Sequence, residues 1–233
     1  MFITSVRLDR FDDSSYIRDL PVVRHLQRAN ELPITSPVTF FVGDNGSGKS
    51  TLIEAIAVAA GFNAEGGSLE LRYATDRTES NLHRWLTLRG RATLLRGYFL
   101  RAETHYTTVS AYDRLPFADR ARSRHLMSHG ESVLDILGDH VDGAGLYIFD
   151  EPEAGLSVVR QMALIAEIHQ AVERGAQFLI ATHSPILLAV PGASILEINE
   201  AGMHPIDYGD AEAVRATREF LADPQGTVDY LLE

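Results

Sequence analysis

No segment constrains this chain more than Gly43-Asp44-Asn45-Gly46-Ser47-Gly48-Lys49-Ser50. Two of its glycines stand at the spacing of a phosphate-binding loop, and Lys-Ser follows the second. Val38-Thr39-Phe40-Phe41-Val42 before it reads as a buried strand, and Thr51 to Ala60 after it reads as a helix ended by Gly61. This order turns consecutive backbone N–H groups towards one point and adds the partial positive charge of a helix N-terminus. Such a cradle suits the phosphates of a nucleotide. Its candidate contacts are Gly43, Asp44, Asn45, Gly46, Ser47, Gly48, Lys49, Ser50 and Thr51. In this pattern the Lys49 ammonium reaches the β- and γ-phosphates and the Ser50 hydroxyl ligates Mg²⁺.

Lysine usage points to the same place. Lys49 is the single lysine among 21 basic residues, so arginine supplies every other positive charge. A compact ammonium on a slim stem enters a phosphate cradle where a planar guanidinium is too wide.

At 233 residues the chain has room for one large domain, or for a core carrying a small inserted lobe. A strand is expected near residues 2–8, followed by an irregular polar stretch up to Val38. Residues 69–73 read as extended, 76–89 as helical and 92–100 as a strand. A helix is expected at 130–137. Leu146-Tyr147-Ile148-Phe149 and Gln177 to Thr182 are short apolar runs of the kind buried on both faces of a parallel sheet. Between them a helix opens at Ser157 and stops at Gly175, with apolar positions at Val158, Met162, Ile165, Ile168 and Val172. A hairpin over 194–206 and a surface helix over 211–222 follow. Alternating strands and helices imply an α/β fold with a mostly parallel central sheet, an antiparallel portion and a small helical lobe. The division expected is a single domain, with core segments 1–64 and 140–233 and an inserted lobe over 65–139.

Three further segments carry chemistry. Asp150 and Glu151 end the apolar run at 146–149. At a parallel strand's carboxyl end the first acid lies at a Mg²⁺ shell and the second reaches an attacking water, so Asp150 is the metal-side acid and Glu151 the general base. Ser128-His129-Gly130-Glu131 opens a helix as a capping box and places Gly130 in its first turn. His183 closes the next buried strand on the same edge, where an imidazole can polarise a γ-phosphate.

These four segments, in this order, resemble the ABC ATPase family and the chromosome-maintenance and repair ATPases related to it. The resemblance runs over most of residues 38–206. It implies a P-loop NTPase fold, ATP and Mg²⁺ as cofactors, and a homodimer that closes over two ATP molecules. Gly43 to Ser50 corresponds to the Walker A loop, Asp150 and Glu151 to the end of Walker B, and Glu153 to Ser157 to the D-loop. His183 corresponds to the switch histidine. By the same likeness Ser128 and Gly130 belong to the signature motif and cap the γ-phosphate in the opposite subunit, although His129 replaces a glycine there. The family's Q-loop glutamine has no counterpart, since no glutamine lies between Gln27 and Gln161. Glu103 is the substitute that could approach Mg²⁺ through water, with Arg101 as the alternative occupant. Phe11 and Tyr16 are both candidates for stacking on adenine.

The net charge of −11 argues against the whole chain being a non-specific nucleic-acid binder, which needs Lys and Arg to displace phosphate counterions. Within residues 67–128, however, 11 arginines face 6 acidic residues, and that asymmetry suits an acidic partner. With no long apolar run, no signal-peptide layout and no cysteine, a cytoplasmic location is expected. Three readings follow for the load: a nucleic-acid, repair or defence process, the nucleotide-binding subunit of a transporter, or a nucleotide-gated interaction module. The effector, nucleic acid or protein, is not specified by these residues.

Overall fold

Strands that are apolar at nearly every position must be covered on both faces. The computed structural model, which describes residues 1–11, 16–69, 80–90, 93–101, 138, 140–141 and 143–232, builds its main sheet from such strands. In chain order the elements are β1 (Ser5–Leu8), α1 (Pro21–Ala29), β2 (Glu31–Pro33), β3 (Val38–Gly43), α2 (Lys49–Ala59), β4 (Gly67–Ser68), β5 (Leu86–Arg89) and β6 (Gly97–Arg101). After the segment 102–137, which is outside the described residues, come β7 (Leu146–Asp150), α3 (Val158–Glu173), β8 (Gln177–Ala181), β9 (Ser194–Asn199) and β10 (Gly202–Ile206). The C-terminal helices are α4 (Glu212–Ala222) and α5 (Pro224–Leu232).

The seven-stranded sheet runs β10-β9-β3-β8-β7-β6-β4. Its five central strands are parallel, and an antiparallel strand closes each edge. A second, three-stranded antiparallel sheet runs β2-β1-β5. Period-two alternation splits the strand residues between two cores. Phe41, Ile148, Leu179 and Ala181 face a layer containing α2, α1 and the small sheet, whereas Phe40, Phe149, Phe178 and Ile180 face α3. Helix α2 packs between β7 and β8 on one side and β5 on the other, which explains why Leu52, Ile53, Ala55, Ile56 and Ala57 are all buried. The α/β class expected from the sequence is present, with its mostly parallel sheet and antiparallel portion, while most of the segment expected to form the helical lobe lies outside the described residues.

Several local expectations are corrected. The polar stretch before Val38 contains α1 and β2, which seat Val22, Val23 and Leu26 in the first core. Of the helix expected over 76–89, the described residues 80–89 form instead a single 3₁₀ turn at Asn81–Trp85 followed by β5, because Leu86–Arg89 pairs antiparallel with β1. In α3 the buried stripe is Leu164, Ile168 and Ala171, while Val158 and Met162 are 54% and 55% exposed. Ile168 is buried, and Ile165 and Val172 are half-buried against the same core, so the sheet covers this part of the helix and leaves Val158 and Met162 at its N-terminal end outside. Ser157 caps α3 by accepting the Arg160 N–H. Strands β4 and β6 lie in the main sheet and β5 in the small one. The helix expected at 130–137 lies outside the described residues, as does the extended segment beyond Leu69.

Gln177, fully buried at the start of β8, fastens the N-terminal segment to the sheet. Its Oε1 accepts the N–H groups of Phe2 and Ile3 at 2.7 and 2.8 Å, and its Nε2 donates to the Ile3 carbonyl at 2.7 Å. Among the described residues no helix is long and apolar enough to cross a membrane.

Candidate functional site

The carboxyl ends of β3, β8 and β7 lie side by side, so Gly43, Ala181 and Asp150 fall on one edge of the sheet. In an open parallel sheet this edge is where ligands bind. The loop leaving β3 turns at once into α2, and glycine is required at two places. A Cβ on Gly43 would collide with the Ile198 carbonyl of β9. Gly48 has φ +95°, and a Cβ there would come within 2.5 Å of Val22 Cγ1 on α1. Helix α1 thus packs directly behind the loop. Asp44, Asn45 and Gly46 are exposed at the tip, while Ser47, Gly48 and Lys49 are buried.

Lys49 is only 5% exposed, and its Nζ donates to the carbonyls of Gly43 at 2.7 Å and Asp44 at 2.9 Å. Burial pushes its pKa below the ordinary lysine value, and the carboxylates of Glu151, Asp150, Asp44 and Glu153 oppose that shift. One ammonium therefore faces four acids. Ser50 in the first turn of α2 donates its hydroxyl to Asp150 Oδ1 at 3.0 Å, across 100 residues of chain. Asp150 is 6% exposed.

Beyond Asp150 the chain bends sharply. Glu151 has φ +51°, an uncommon conformation for a residue with a side chain. Its N–H donates to the Ala181 carbonyl at 2.9 Å, and its own carbonyl accepts the Ala154 N–H at 3.0 Å. The turn points a half-exposed carboxylate outwards, with Oε1 lying 4.0 Å from His183 Nε2. His183 is fixed through its backbone, whose N–H donates to Glu153 Oε1 at 2.7 Å. The strand end behind it is rigid. Ser184 N–H donates to Thr182 Oγ1, and Ser184 Oγ donates to Gln161 Oε1 at 2.6 Å while accepting the N–H groups of Ile186 and Leu187.

These residues fit a nucleoside triphosphate with a divalent ion. Ser47 Oγ is buried in the loop without a hydrogen-bond partner, as expected of a hydroxyl that a phosphate oxygen would satisfy. Among the described residues no cluster of three or more His, Asp or Glu side chains is assembled to hold a metal. Ser50 and Asp150 alone suit Mg²⁺, which takes few protein ligands and completes its shell with phosphate oxygens and water. Thr51 follows in the same helical turn.

A cavity of about 650 Å³ adjoins the loop, lined by the loop residues 44–47, by Tyr16, Asp19, Leu20, Pro21 and Arg24, and by the β9–β10 turn. It separates the two aromatic candidates. Tyr16, 73% exposed, lines this cavity, whereas Phe11 packs edge-on against Trp85 with ring centroids 5.9 Å apart. Arg101, at the end of β6, turns to the buried Glu54 of α2, forming an ion pair at 2.9 Å. Ser128, Gly130 and Glu103 lie outside the described residues. Sequence reasoning missed Glu153 as the partner of the His183 backbone and Glu54 as the partner of Arg101. A third acid in Asp-Glu-Pro-Glu was the available signal for the first. The second had none, because Glu54 sits in an otherwise apolar helix.

Comparison with known proteins agrees with this geometry. Residues 23–103 match a family described as an AAA domain, and residues 99–189 match a family described as an AAA domain, putative AbiEii toxin, Type IV TA system. The two matches meet in β6 and together hold the loop, the acid pair and His183. Over these residues the chain resembles AAA-type P-loop domains. No curated protein matches the chain significantly. Among solved structures it is similar to an SMC head bound to the C-terminal winged-helix domain of ScpA, at 15% identity over 88% of this chain and 98% of that one, with a TM-score of 0.50. The SMC head domain from Thermotoga maritima matches at 16% identity over 89% and 100% of the two chains, with a TM-score of 0.48. CbiO1 of Clostridium perfringens, part of an ABC transporter complex, matches at 15% identity over 100% and 99%, also with a TM-score of 0.48. The first of these likenesses supports the fold.

Proposed function

We propose that this domain binds ATP with Mg²⁺, hydrolyses it, and couples the cycle to the opening and closing of a dimer. The observation that carries the reading is the Ser50–Asp150 hydrogen bond, with Lys49 on one side and the Glu151–His183 pair on the other, all on one sheet edge. The loop residues Gly43 to Thr51 hold the triphosphate, and Lys49 exchanges its two carbonyl partners for phosphate oxygens. Ser50 and Asp150 would hold the Mg²⁺, which would supply charge neutralisation to the triphosphate. Glu151 accepts the proton of a water whose oxygen attacks the γ-phosphorus. The bond from that phosphorus to the bridging oxygen breaks, and ADP and phosphate leave. His183, held by Glu153, donates a hydrogen bond towards the γ-phosphate and keeps the attacking geometry.

Ser128 and Gly130 complete the site from a second copy in this proposal, and Glu103 contributes at the metal's outer shell. Exposed Val158, Val159 and Met162 follow directly after the Glu151–Ser157 turn, and they support a face covered by another copy when nucleotide is bound. For the load, the description of one matched family as a toxin of a toxin–antitoxin system favours a defence or nucleic-acid-related process over transport. The test is calorimetry and phosphate release with Mg²⁺ and ATP. Wild-type protein should bind and turn over, and Lys49→Ala should lose tight binding, since no second lysine exists to compensate. ATP affinity unchanged in Lys49→Ala refutes the loop's role.

A further inference from the structure

Helix α2 is tied to the sheet edge twice. Ser50 and Glu54 are four residues apart, so they lie one above the other on one face of the helix. Arg101 and Asp150 stand opposite each other in the parallel register of β6 and β7. Ser50 meets Asp150 at 3.0 Å, and one turn later Glu54 meets Arg101 at 2.9 Å. The second rung is well buried, with side-chain exposures of 8% for Glu54 and 15% for Arg101. Glu54 uses both its oxygens: Oε2 takes the guanidinium and Oε1 accepts the Ser80 N–H at 3.0 Å. Arg101 Nη1 also donates to the Ala64 carbonyl, just past the end of α2.

A buried ion pair is a poor way to gain stability, because apolar side chains of similar volume do as well or better once desolvation is counted. What an ion pair gives that an apolar contact does not is direction. Apolar packing against β7, β8 and β5 sets where α2 lies, but such contacts tolerate a small roll about the Ser50 contact. With both rungs, the roll is fixed, and with it the position of Ser50 Oγ relative to Asp150. Resting on the proposed Mg²⁺-ATP reading, we propose that Glu54 and Arg101 are positioning residues for the metal-holding pair Ser50 and Asp150. They touch neither nucleotide nor metal.

The inference separates two quantities that a general loss of stability would move together. A fluorescent non-hydrolysable ATP analogue is titrated into the full chain in EDTA and again across a series of Mg²⁺ concentrations. In EDTA, Glu54→Gln and Arg101→Met should bind within about twofold of wild type, since the loop is untouched. Their Mg²⁺ half-saturation should rise about tenfold or more, the scale expected when a partner that orients a metal ligand is lost. Arg101→Lys should recover much of this, keeping the charge but losing the fork. Glu54→Asp keeps the charge, shortens the reach by one methylene, and should still raise the Mg²⁺ requirement about threefold. It serves as the decisive variant if the neutral ones fail to fold. Wild-type Mg²⁺ half-saturation in folded Glu54→Asp and in the neutral variants overturns the inference, whatever their melting temperatures. A wild-type chain that binds no analogue under either condition overturns the ATPase reading instead, and this inference with it.

Discussion

Replacing Glu151 by Gln separates chemistry from binding with little structural disturbance. The side chain is 46% exposed, so the swap removes no packing, and surface changes of this kind cost within about 0.5 kcal/mol. The turn is held by backbone contacts, Glu151 N–H to Ala181 and Ala154 N–H to Glu151, which glutamine keeps. What it cannot do is accept the proton of the attacking water. General-base catalysis contributes about 10²- to 10⁴-fold, which at about 1.4 kcal/mol per tenfold is a barrier increase of roughly 3 to 5 kcal/mol. Phosphate release at saturating Mg²⁺-ATP should fall by that factor, while ATP affinity by calorimetry near neutral pH should hardly move. A secondary effect has a definite sign. Burial depresses Lys49, and Glu151 leads the carboxylates opposing that shift, so losing it drives the lysine lower still. The ammonium of the free variant is then lost earlier as pH rises, and ATP affinity should decline at a lower alkaline pH than in wild type. Because the nucleotide persists, light scattering should show a dimer with Mg²⁺ and ATP that dissolves with ADP. Normal turnover removes Glu151 from the chemistry. Lost turnover with a monomer at micromolar concentration keeps Glu151 as base and refutes the ATP-closed dimer.

Other perturbations test the surrounding structure. Gln177→Leu leaves the buried N–H and carbonyl of Ile3 unpaired, at about 1–3 kcal/mol each, and removes the acceptor of the part-buried Phe2 N–H, so thermal melting should fall by several degrees or more. An unchanged melting temperature shows that the segment is not needed. Tyr16→Ala should weaken ATP binding about tenfold, whereas Phe11→Ala should lower the melting temperature with little effect on affinity; the opposite pattern exchanges their roles. His25 accepts the Met203 N–H through Nδ1 at 3.0 Å, and burial, aided by Arg28 and His204, depresses its pKa. The neutral form is favoured on folding, so this stability is present above the ordinary histidine pKa of about 6.5 and lost as pH falls below it. Melting curves from pH 8 to 5 should be steeper in wild type than in His25→Gln, and equal slopes refute the coupling.

By itself the sequence determined the strand–loop–helix unit at 38–60, because Gly43 and Gly48 leave few backbone paths and Lys49 has one sensible use. It determined the buried strands at 146–150 and 177–181 for a similar reason: runs such as Leu-Tyr-Ile-Phe have nowhere to lie but inside a sheet. The acids and the histidine at their ends were legible because the strand end itself fixes where the side chain projects. Tertiary structure decided what depended on a partner far away in the chain. Leu86–Arg89 became a strand because β1 was there to pair with it, and α1 formed where a polar-looking stretch had an amphipathic face behind the loop. The stripe of α3 that is buried was set by where the sheet lies, leaving Val158 and Met162 outside. The His183 backbone and Glu153, 30 residues apart, and Glu54 and Arg101, brought together from a helix and a strand end, meet only when the sheet closes its register. Local periodicity and motif spacing report the backbone's own preferences. Which acid faces which cation is fixed by the packing of whole elements, and no window of sequence contains that.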